Sequence, residues 1–368
     1  MRVALVTEFY YPHLGGVTEH VHNFALELQR LGHEATIITS HMRGEQGDPD
    51  FVRRVGTSRV IYSNGSFARI TTGWGLTRRV SDILRERRIE IVHVHDVIAP
   101  TLGLVASSAA WRLGLPVVAT SHTWFERSLA YRCFRPLLQP RLDRVAARIA
   151  VSAPVIEAMS KYFHADWEII PNGVDVENFR PNGRRPDSAP PRHPRLLFLG
   201  RLDPRNGLEN LLAAMPFILG RYPGTQLIVA GDGPLRSHYE RRAAPLGPSV
   251  QFVGRVNGER PAHYRAADLY LCPSTKASFG ITLLEAMACG TPMIVSDITG
   301  FRELIDGGDE AVLAPCDDPE AWARAAIALI GDPARRRRMA AAGVAKAATF
   351  AWPRIAERVL DVYARVLR

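Results

Sequence analysis

"RVALVTEFYYPHLGGVTEHVHNFALELQRLGHEATIITS", Arg2 to Ser40, is the stretch whose reading decides the fold class. Its opening, "RVALVTEF", is a short run dense in branched apolar side chains, as a strand buried on both faces requires. "LGGVTEHVHNFALELQRLG" then carries apolar residues at helical spacing, opened by Gly15-Gly16 and closed at Gly32. "HEATIITS" returns to a strand pattern. Strand, helix and strand at these lengths make a βαβ unit, and a βαβ unit implies a parallel sheet.

The alternation continues outward. "IEIVHVHD" (89–96), "LPVVATSH" (115–122), "ARIAVSA" (147–153) and "WEIIPNG" (167–173) read as further strands with helical patterns between them. The first half is therefore a doubly wound, Rossmann-like α/β domain over residues 1–170. "RLLFLGRL", "TQLIVAGDGP", "SVQFVGRV", "ADLYLCPS", "PMIVSD" and "AVLAP" predict a second such domain over 171–353. Residues 181–195, with five prolines and no apolar periodicity, read as a linker. The amphipathic tail, 354–368, can pack on either half. Open α/β sheets bind ligands beyond the carboxyl ends of their strands, so the active site is expected in a cleft between the halves. No GxGxxG with a following acid marks a nicotinamide dehydrogenase, and "GDGP" (231–234) is too short for that fingerprint.

With 46 basic and 37 acidic residues the formal charge is +9, which suits nucleotide phosphates, an anionic membrane or nucleic acid. No nucleic-acid recognition motif is present. Neither a long apolar run nor a basic leader followed by an apolar segment occurs, so a cytoplasmic protein without a transmembrane helix is expected. Cys133, Cys272, Cys289 and Cys316 lack metal-ligand spacing and are expected as reduced, buried thiols.

In "STKASFGITLLEAMACGTPMIVSD" (274–297) a loop leads into a helix expected to start near Ser278. A helix N-terminus presents free N–H groups to a phosphate. Glu285 lies about two turns beyond Ser278 on the same face and is the one acid in an apolar helix. Its carboxylate can accept two hydrogen bonds from a vicinal diol. The stretch thus suits a nucleoside diphosphate, phosphates on the amides of Ser278, Phe279, Gly280, Ile281 and Thr282 and ribose on Glu285.

Together with "GRLDPRNGLENLL" (200–212), "VAGDGP" (229–234) and "IPNGVDVENF" (170–179), this stretch resembles the retaining glycosyltransferases of GT-B fold, family 4. "FYYPHLGGVTEHV" (9–21), "YSNGSFARI" (62–70) and "VVATSHTWFERSL" (117–129) are most similar to its phosphatidyl-myo-inositol mannosyltransferase branch. The resemblance implies Gly16 beneath the donor phosphates and Arg201 on the pyrophosphate; Asn206 stands at a further donor-side position of the family, and Arg205 beside it, outside the family's register, can supply charge there. It places Gly15, Gly16, His20, Asn64, Arg69 and His122 on the acceptor side, His122 and Arg69 near the inositol phosphate and the reacting hydroxyl. The implied reaction moves a sugar, mannose from GDP-mannose favoured, to a phosphatidylinositol-like, other lipid-linked or polyol acceptor. It needs neither metal nor cofactor if arginine and helix amides carry the charge of the leaving pyrophosphate.

Two positions depart from the family pattern: Ala277 stands where the first of two glutamates is usual, and Asn206 where a lysine is usual. Both fall on the donor side. An active transferase with a changed donor or donor pose is one reading. A relative that binds nucleotide or lipid headgroup without turnover is the alternative, and a nucleotide-sugar epimerase of the same fold is a third. Finally, "GLTRRVSDILRERRIE" (75–90) sets Leu76, Val80, Ile83 and Leu84 on one face and five arginines elsewhere. Such a helix can lie on an anionic leaflet or pack its apolar face on the sheet.

Overall fold

The structure, a computed structural model, describes residues 1–13, 15–45, 47–63, 66–96, 101–183, 193–305 and 308–368, and the side chains of these except 61–63, 66–68 and 257. It forms two compact units, Met1–Gly173 with Trp352–Arg368, and Val174–Ala351. The chain passes between them a few residues from the positions that the sequence pattern suggests. At both crossings a bridge fixes the backbone: Val174 N–H donates to Phe350 C=O at 2.9 Å and Val174 pairs with Ala351.

In the first unit the strands are β1 (Arg2–Val6), β2 (Glu34–His41), β3 (Val52–Ser63), β4 (Ser66–Thr72), β5 (Ile91–His95), β6 (Val117–Ser121), β7 (Ala147–Ala150) and β8 (Glu168–Ile169). They form one sheet in the order β4-β3-β2-β1-β5-β6-β7-β8. All neighbours run parallel except β3 and β4, which pair antiparallel, Val60 opposite Arg69. That hairpin was not expected, because its polar, arginine-rich strands at the sheet edge lack the apolar run of a central parallel strand. Helices α1 (Gly16–Arg30), α2 (Leu76–Glu86), α3 (Thr101–Arg112), α4 (Leu129–Asp143) and α5 (Ala153–Ser160) connect them. One core joins Val21, Phe24 and Leu28 of α1 to Leu5 and Ile37 of the sheet and to Ile355, Val359 and Tyr363 of the C-terminal helix (Trp352–Val366). Each such side chain contributes about 1.5–3 kcal/mol on burial. The tail therefore belongs to the first unit.

The second unit holds β9 (Arg195–Leu199), β10 (Gln226–Ala230), β11 (Val250–Gly254), β12 (Leu269–Cys272), β13 (Met293–Ser296) and β14 (Val312–Ala314), all parallel, in the order β11-β10-β9-β12-β13-β14. Its helices are α6 (Leu208–Arg221), α7 (Arg236–Ala243), α8 (Arg260–Ala266), α9 (Ile281–Ala288), α10 (Thr299–Arg302), α11 (Pro319–Gly331) and α12 (Pro333–Ala348), so the C-terminal helix is α13. In each sheet the winding direction reverses beside the first strand, between β1 and β5 and between β9 and β12. A ligand crevice opens at such a point. The proline-rich segment is not an interdomain linker: it lies within the second unit, ahead of β9, and residues 184–192 of it are outside the described residues.

Two sequence expectations about surfaces change. The apolar face of α2 is covered, with Leu76, Val80 and Leu84 buried and Ile83 half-buried, so it packs on its own domain. Of the cysteines, Cys272 and Cys289 are buried and Cys316 is half-buried, but Cys133 is exposed on α4.

Candidate active site

The predicted site residues gather into two sets, one on each unit. In the second unit they cluster at the winding reversal. The turn after β9 carries Arg201, half-exposed, with its Nε 3.9 Å from Asp203 Oδ2. Gly231 of "GDGP" lets the next strand end close against this turn: at φ 142° its backbone lies so near Gly200 that a Cβ would stand 1.9 Å from the Gly200 carbonyl oxygen. Arg205 is exposed, and its carbonyl accepts from Thr275 N–H at 2.9 Å, tying the turn to the loop after β12. Asn206 does not point a free amide outward. Its Nδ2 donates to Arg201 C=O at 2.7 Å, its Oδ1 accepts from Ser274 Oγ at 3.4 Å, and its N–H meets Asp203 Oδ1 at 3.2 Å.

Helix α9 starts at Ile281, three residues later than expected, because Gly280 takes the left-handed conformation at φ 100° and turns the chain into the helix. Ser278 and Ala277 lie in the preceding loop, half-buried, and Phe279 is buried beneath it. The first turn leaves the N–H groups of Ile281 and Thr282 without intrahelical acceptors. Glu285 is one turn from that end, not two. It is neither a surface residue nor unpartnered: buried, it receives Arg260 Nη1 on Oε1 at 2.8 Å and Tyr264 Oη on Oε2 at 3.0 Å. Both carboxylate oxygens therefore act as acceptors within the unit.

In the first unit, Gly15 and Gly16 are exposed at the start of α1. Arg69 lies half-buried on β4 and donates from Nη1 to Ser58 Oγ at 3.1 Å. Asn64 is outside the described residues. His122 follows β6, buried, its N–H donating to Asp96 Oδ1 at 2.9 Å. It sits in a cluster that sequence reasoning saw only in part. His93, His95 and His122 form a column of rings, 4.5 and 5.2 Å between centroids, and His20 of α1 stands edge-on to His95 and His122 at 5.3 and 4.7 Å. Trp352 of α13 closes on His20 at 5.2 Å. Burial holds the imidazoles neutral, His93 and His122 pushed down to about 3 and His20 and His95 well below the usual value. Asn172, buried in the "IPNG" motif, interacts with both His20 and His122.

Glu8 is a further residue that the sequence pattern did not single out. Buried at the end of β1, it accepts from Leu102 N–H at 2.6 Å and Thr101 Oγ1 at 3.2 Å at the start of α3, and from Thr71 Oγ1 of β4. It thereby anchors the strand that carries Arg69. An acid closing an apolar strand, as in "RVALVTEF", was the available signal. One set has the chemistry of a metal centre: ring nitrogens of His20, His95 and His122 lie within 4.8 Å of one another. His95 and His122 already share a hydrogen bond, however, so a cation would have to displace that proton.

A family model described as Glycosyl transferases group 1 matches residues 193–332, and one described as Glycosyltransferase Family 4 matches residues 14–178. The chain belongs to the group 1, family 4 glycosyltransferases. Phosphatidyl-myo-inositol mannosyltransferase of Mycolicibacterium smegmatis is 33% identical over 372 residues, covering 100% of this chain and 94% of that protein. D-inositol 3-phosphate glycosyltransferase of Streptosporangium roseum is 31% identical, covering 95% of this chain and 88% of that protein. Among solved structures, Anabaena HepE in complex with UDP-glucose superposes with a TM-score of 0.77 at 18% identity, covering 99% of this chain and 100% of that one. The two units of the transferase are thus those of the GT-B fold, and the second contains Arg201, α9 and Glu285.

Proposed function

We propose that this transferase moves mannose from GDP-mannose, with retention at the anomeric carbon, to the inositol of a phosphatidylinositol-like acceptor. The observation that carries the reading is the 33% identity over the whole chain to phosphatidyl-myo-inositol mannosyltransferases. The geometry supports the donor half of it. The exposed Arg201 guanidinium and the open amides at Ile281 and Thr282 can meet a diphosphate, and the Glu285 carboxylate, fixed by Arg260 and Tyr264 one turn behind those amides, is an acceptor of the kind that a ribose diol requires. Such preorganised donors stabilise the charge that develops on the leaving diphosphate without a metal ion. On the acceptor side, Arg69 would meet the inositol phosphate and His122 the reacting hydroxyl, with Gly15, Gly16 and His20 around them.

A second reading rests on the closed Asn206 amide and on Ala277, which offers no carboxylate: the chain binds nucleotide or lipid headgroup without turnover. Release of nucleoside diphosphate from GDP-, UDP- and ADP-sugars, with and without phosphatidylinositol vesicles, separates the two. Turnover of GDP-mannose accelerated by the lipid supports the first reading. Binding of nucleotide with no turnover of any donor overturns it in favour of the second.

The transferase would work as a peripheral protein on the cytoplasmic leaflet. No helix among the described residues is long and apolar enough to cross a membrane. The surface we assign to the leaflet is α4, not α2. Leu129, Phe134 and Leu137 of α4 are exposed at 72%, 56% and 67%, beside the exposed Arg127, Arg132, Arg135 and Arg141. Apolar side chains among cations suit an anionic interface. Replacing Phe134 and Leu137 by Ser should weaken flotation with anionic vesicles; unchanged flotation would refute the assignment.

A further inference from the structure

The histidine cluster of the first unit contains more polar groups than packing needs. A buried space of that size is filled more cheaply by Leu or Phe, because each imidazole brings two nitrogens that require partners. His93 satisfies both of its own, Nδ1 with Tyr363 Oη at 2.6 Å and Nε2 with Thr120 Oγ1 at 2.7 Å. His95 satisfies one. Its Nδ1 lies 2.9 Å from His122 Nε2, whereas its Nε2 is buried with no hydrogen bond among the described residues.

One ring must donate across the His95–His122 contact, and the orphan nitrogen decides which. Were His122 the donor, neutral His95 would carry its proton on Nε2, a buried N–H with no acceptor. With His95 as the donor, its Nε2 is only a bare lone pair. Orphaned buried N–H groups are the rarer and costlier case, and under-satisfied acceptors are better tolerated. The same choice leaves neutral His122 with its proton on Nδ1.

We propose that His95 is a positioning residue, whose Nδ1–H donates to His122 Nε2 and so fixes His122 as the Nδ1–H tautomer. This rests on the reading of His122 as an acceptor-side residue. With its Nε2 lone pair taken by His95, His122 is not the base; its one N–H, at Nδ1, is the group that can donate, either to Asn172, with which it interacts, or to a bound oxygen that takes that place. In the transfer, the bond from the anomeric carbon to the diphosphate breaks, the bond to the acceptor oxygen forms, and the hydroxyl proton passes to the released diphosphate. The Asp96 carboxylate accepts from the His122 backbone N–H and, at 3.3 Å, from Thr123 Oγ1, and so holds the residue in place without touching the ring tautomer.

The test reads the tautomer directly. In protein labelled with 15N-histidine and free of substrate, long-range 1H–15N correlation, assigned with His122→Asn, should show a protonated Nδ1 and a bare Nε2 for His122. His95→Asn and His95→Leu then form a nearly isosteric pair, since an asparagine Nδ2–H can stand where histidine Nδ1–H stood. His95→Leu should lower kcat about tenfold, the equivalent of about 1.4 kcal/mol, with the donor KM unchanged, and should let His122 sample both tautomers. His95→Asn should stay within about threefold of the native rate. A protonated Nε2 on His122 in the native protein, or equal kcat in the two variants, overturns the proposal. If no donor turns over at all, the transferase reading fails by itself and the spectrum still decides the tautomer.

Discussion

Lowering the pH from 7.5 to 5.5 perturbs the histidine cluster most directly, and the size of the effect follows from its burial. An unfolded histidine titrates near 6.5, whereas His93 and His122 are pushed down to about 3 in the fold and His20 and His95 well down. A folded value below the unfolded one means that stability is lost as pH falls through about 6.5, because only the unfolded chain takes up protons there. Each imidazole then costs about 1.4 kcal/mol at pH 5.5 and almost nothing at 7.5, so four cost about 5.5 kcal/mol. Asp96 works in the opposite sense. Burial pushes its carboxyl up to about 6, so the folded state gains that proton first and recovers about 0.8 kcal/mol; Glu8, also raised by burial, acts in the same direction. The net loss from these groups is about 4–5 kcal/mol, to which His22 and His33, also pushed down by burial, add in the same direction, and it is a large share of the roughly 5–15 kcal/mol that holds a domain together. Hydrogen exchange of β5 and β6 amides, corrected for intrinsic rate, reports this unit separately from the other. His95→Asn should remove about 1.4 kcal/mol of the loss, one imidazole's share. A loss below about 1.4 kcal/mol in the native protein would show that the cluster is protonated or open in the fold and refute the reasoning.

Three perturbations address the second unit. Ala277→Glu should raise donor turnover about tenfold or more if one charge-assisted contact of about 1.5–3 kcal/mol is restored in the transition state; an unchanged rate would mean that this position no longer faces the donor. Glu285→Gln weakens the buried pair with Arg260, whose side chain is 20% exposed, and should lower urea stability by roughly 3 kcal/mol and nucleotide affinity with it; a stable variant that binds nucleotide normally would exclude Glu285 from both tasks. Asn206→Ala removes the brace onto Arg201 C=O and should cost about 1–2 kcal/mol in stability while raising the donor KM, measured by urea titration and initial rates.

Both sheets were legible because central parallel strands have to be apolar on both faces, and "RVALVTEF", "LPVVATSH" and "PMIVSD" could be little else. The β3–β4 hairpin was not, since its edge position tolerates arginines and serines and removes the signal. Helix α2 shows the limit of periodicity: its stripe specified an amphipathic helix but not what covers it, and the domain's own core does. The site was legible as residue types at intervals. Glu285 was identified as an acid where no acid was needed, but its pairing with Arg260 and Tyr264 depends on α8, a separate segment brought alongside by the sheet. The His95–His122 contact likewise joins the ends of two strands 27 residues apart, a relation fixed by sheet order.

The two departures from the family pattern differ in kind once their surroundings are known. Asn206 is integrated: three hydrogen bonds tie it to Arg201, Asp203 and Ser274, so it shapes the turn that presents the arginine. A lysine there could not accept from Ser274, and Asn206→Lys would therefore disturb the turn even as it added a charge. Ala277 has no such side-chain role. Its carbonyl is closely approached by Gly300, where a Cβ would come within 2.1 Å, so the backbone at 277 is closely packed while its methyl side chain offers no polar group. A missing group on a fixed backbone is the situation in which a single substitution can add function without repacking. Ala277→Glu therefore tests how the donor is held, whereas Asn206→Lys would confound the donor with the fold.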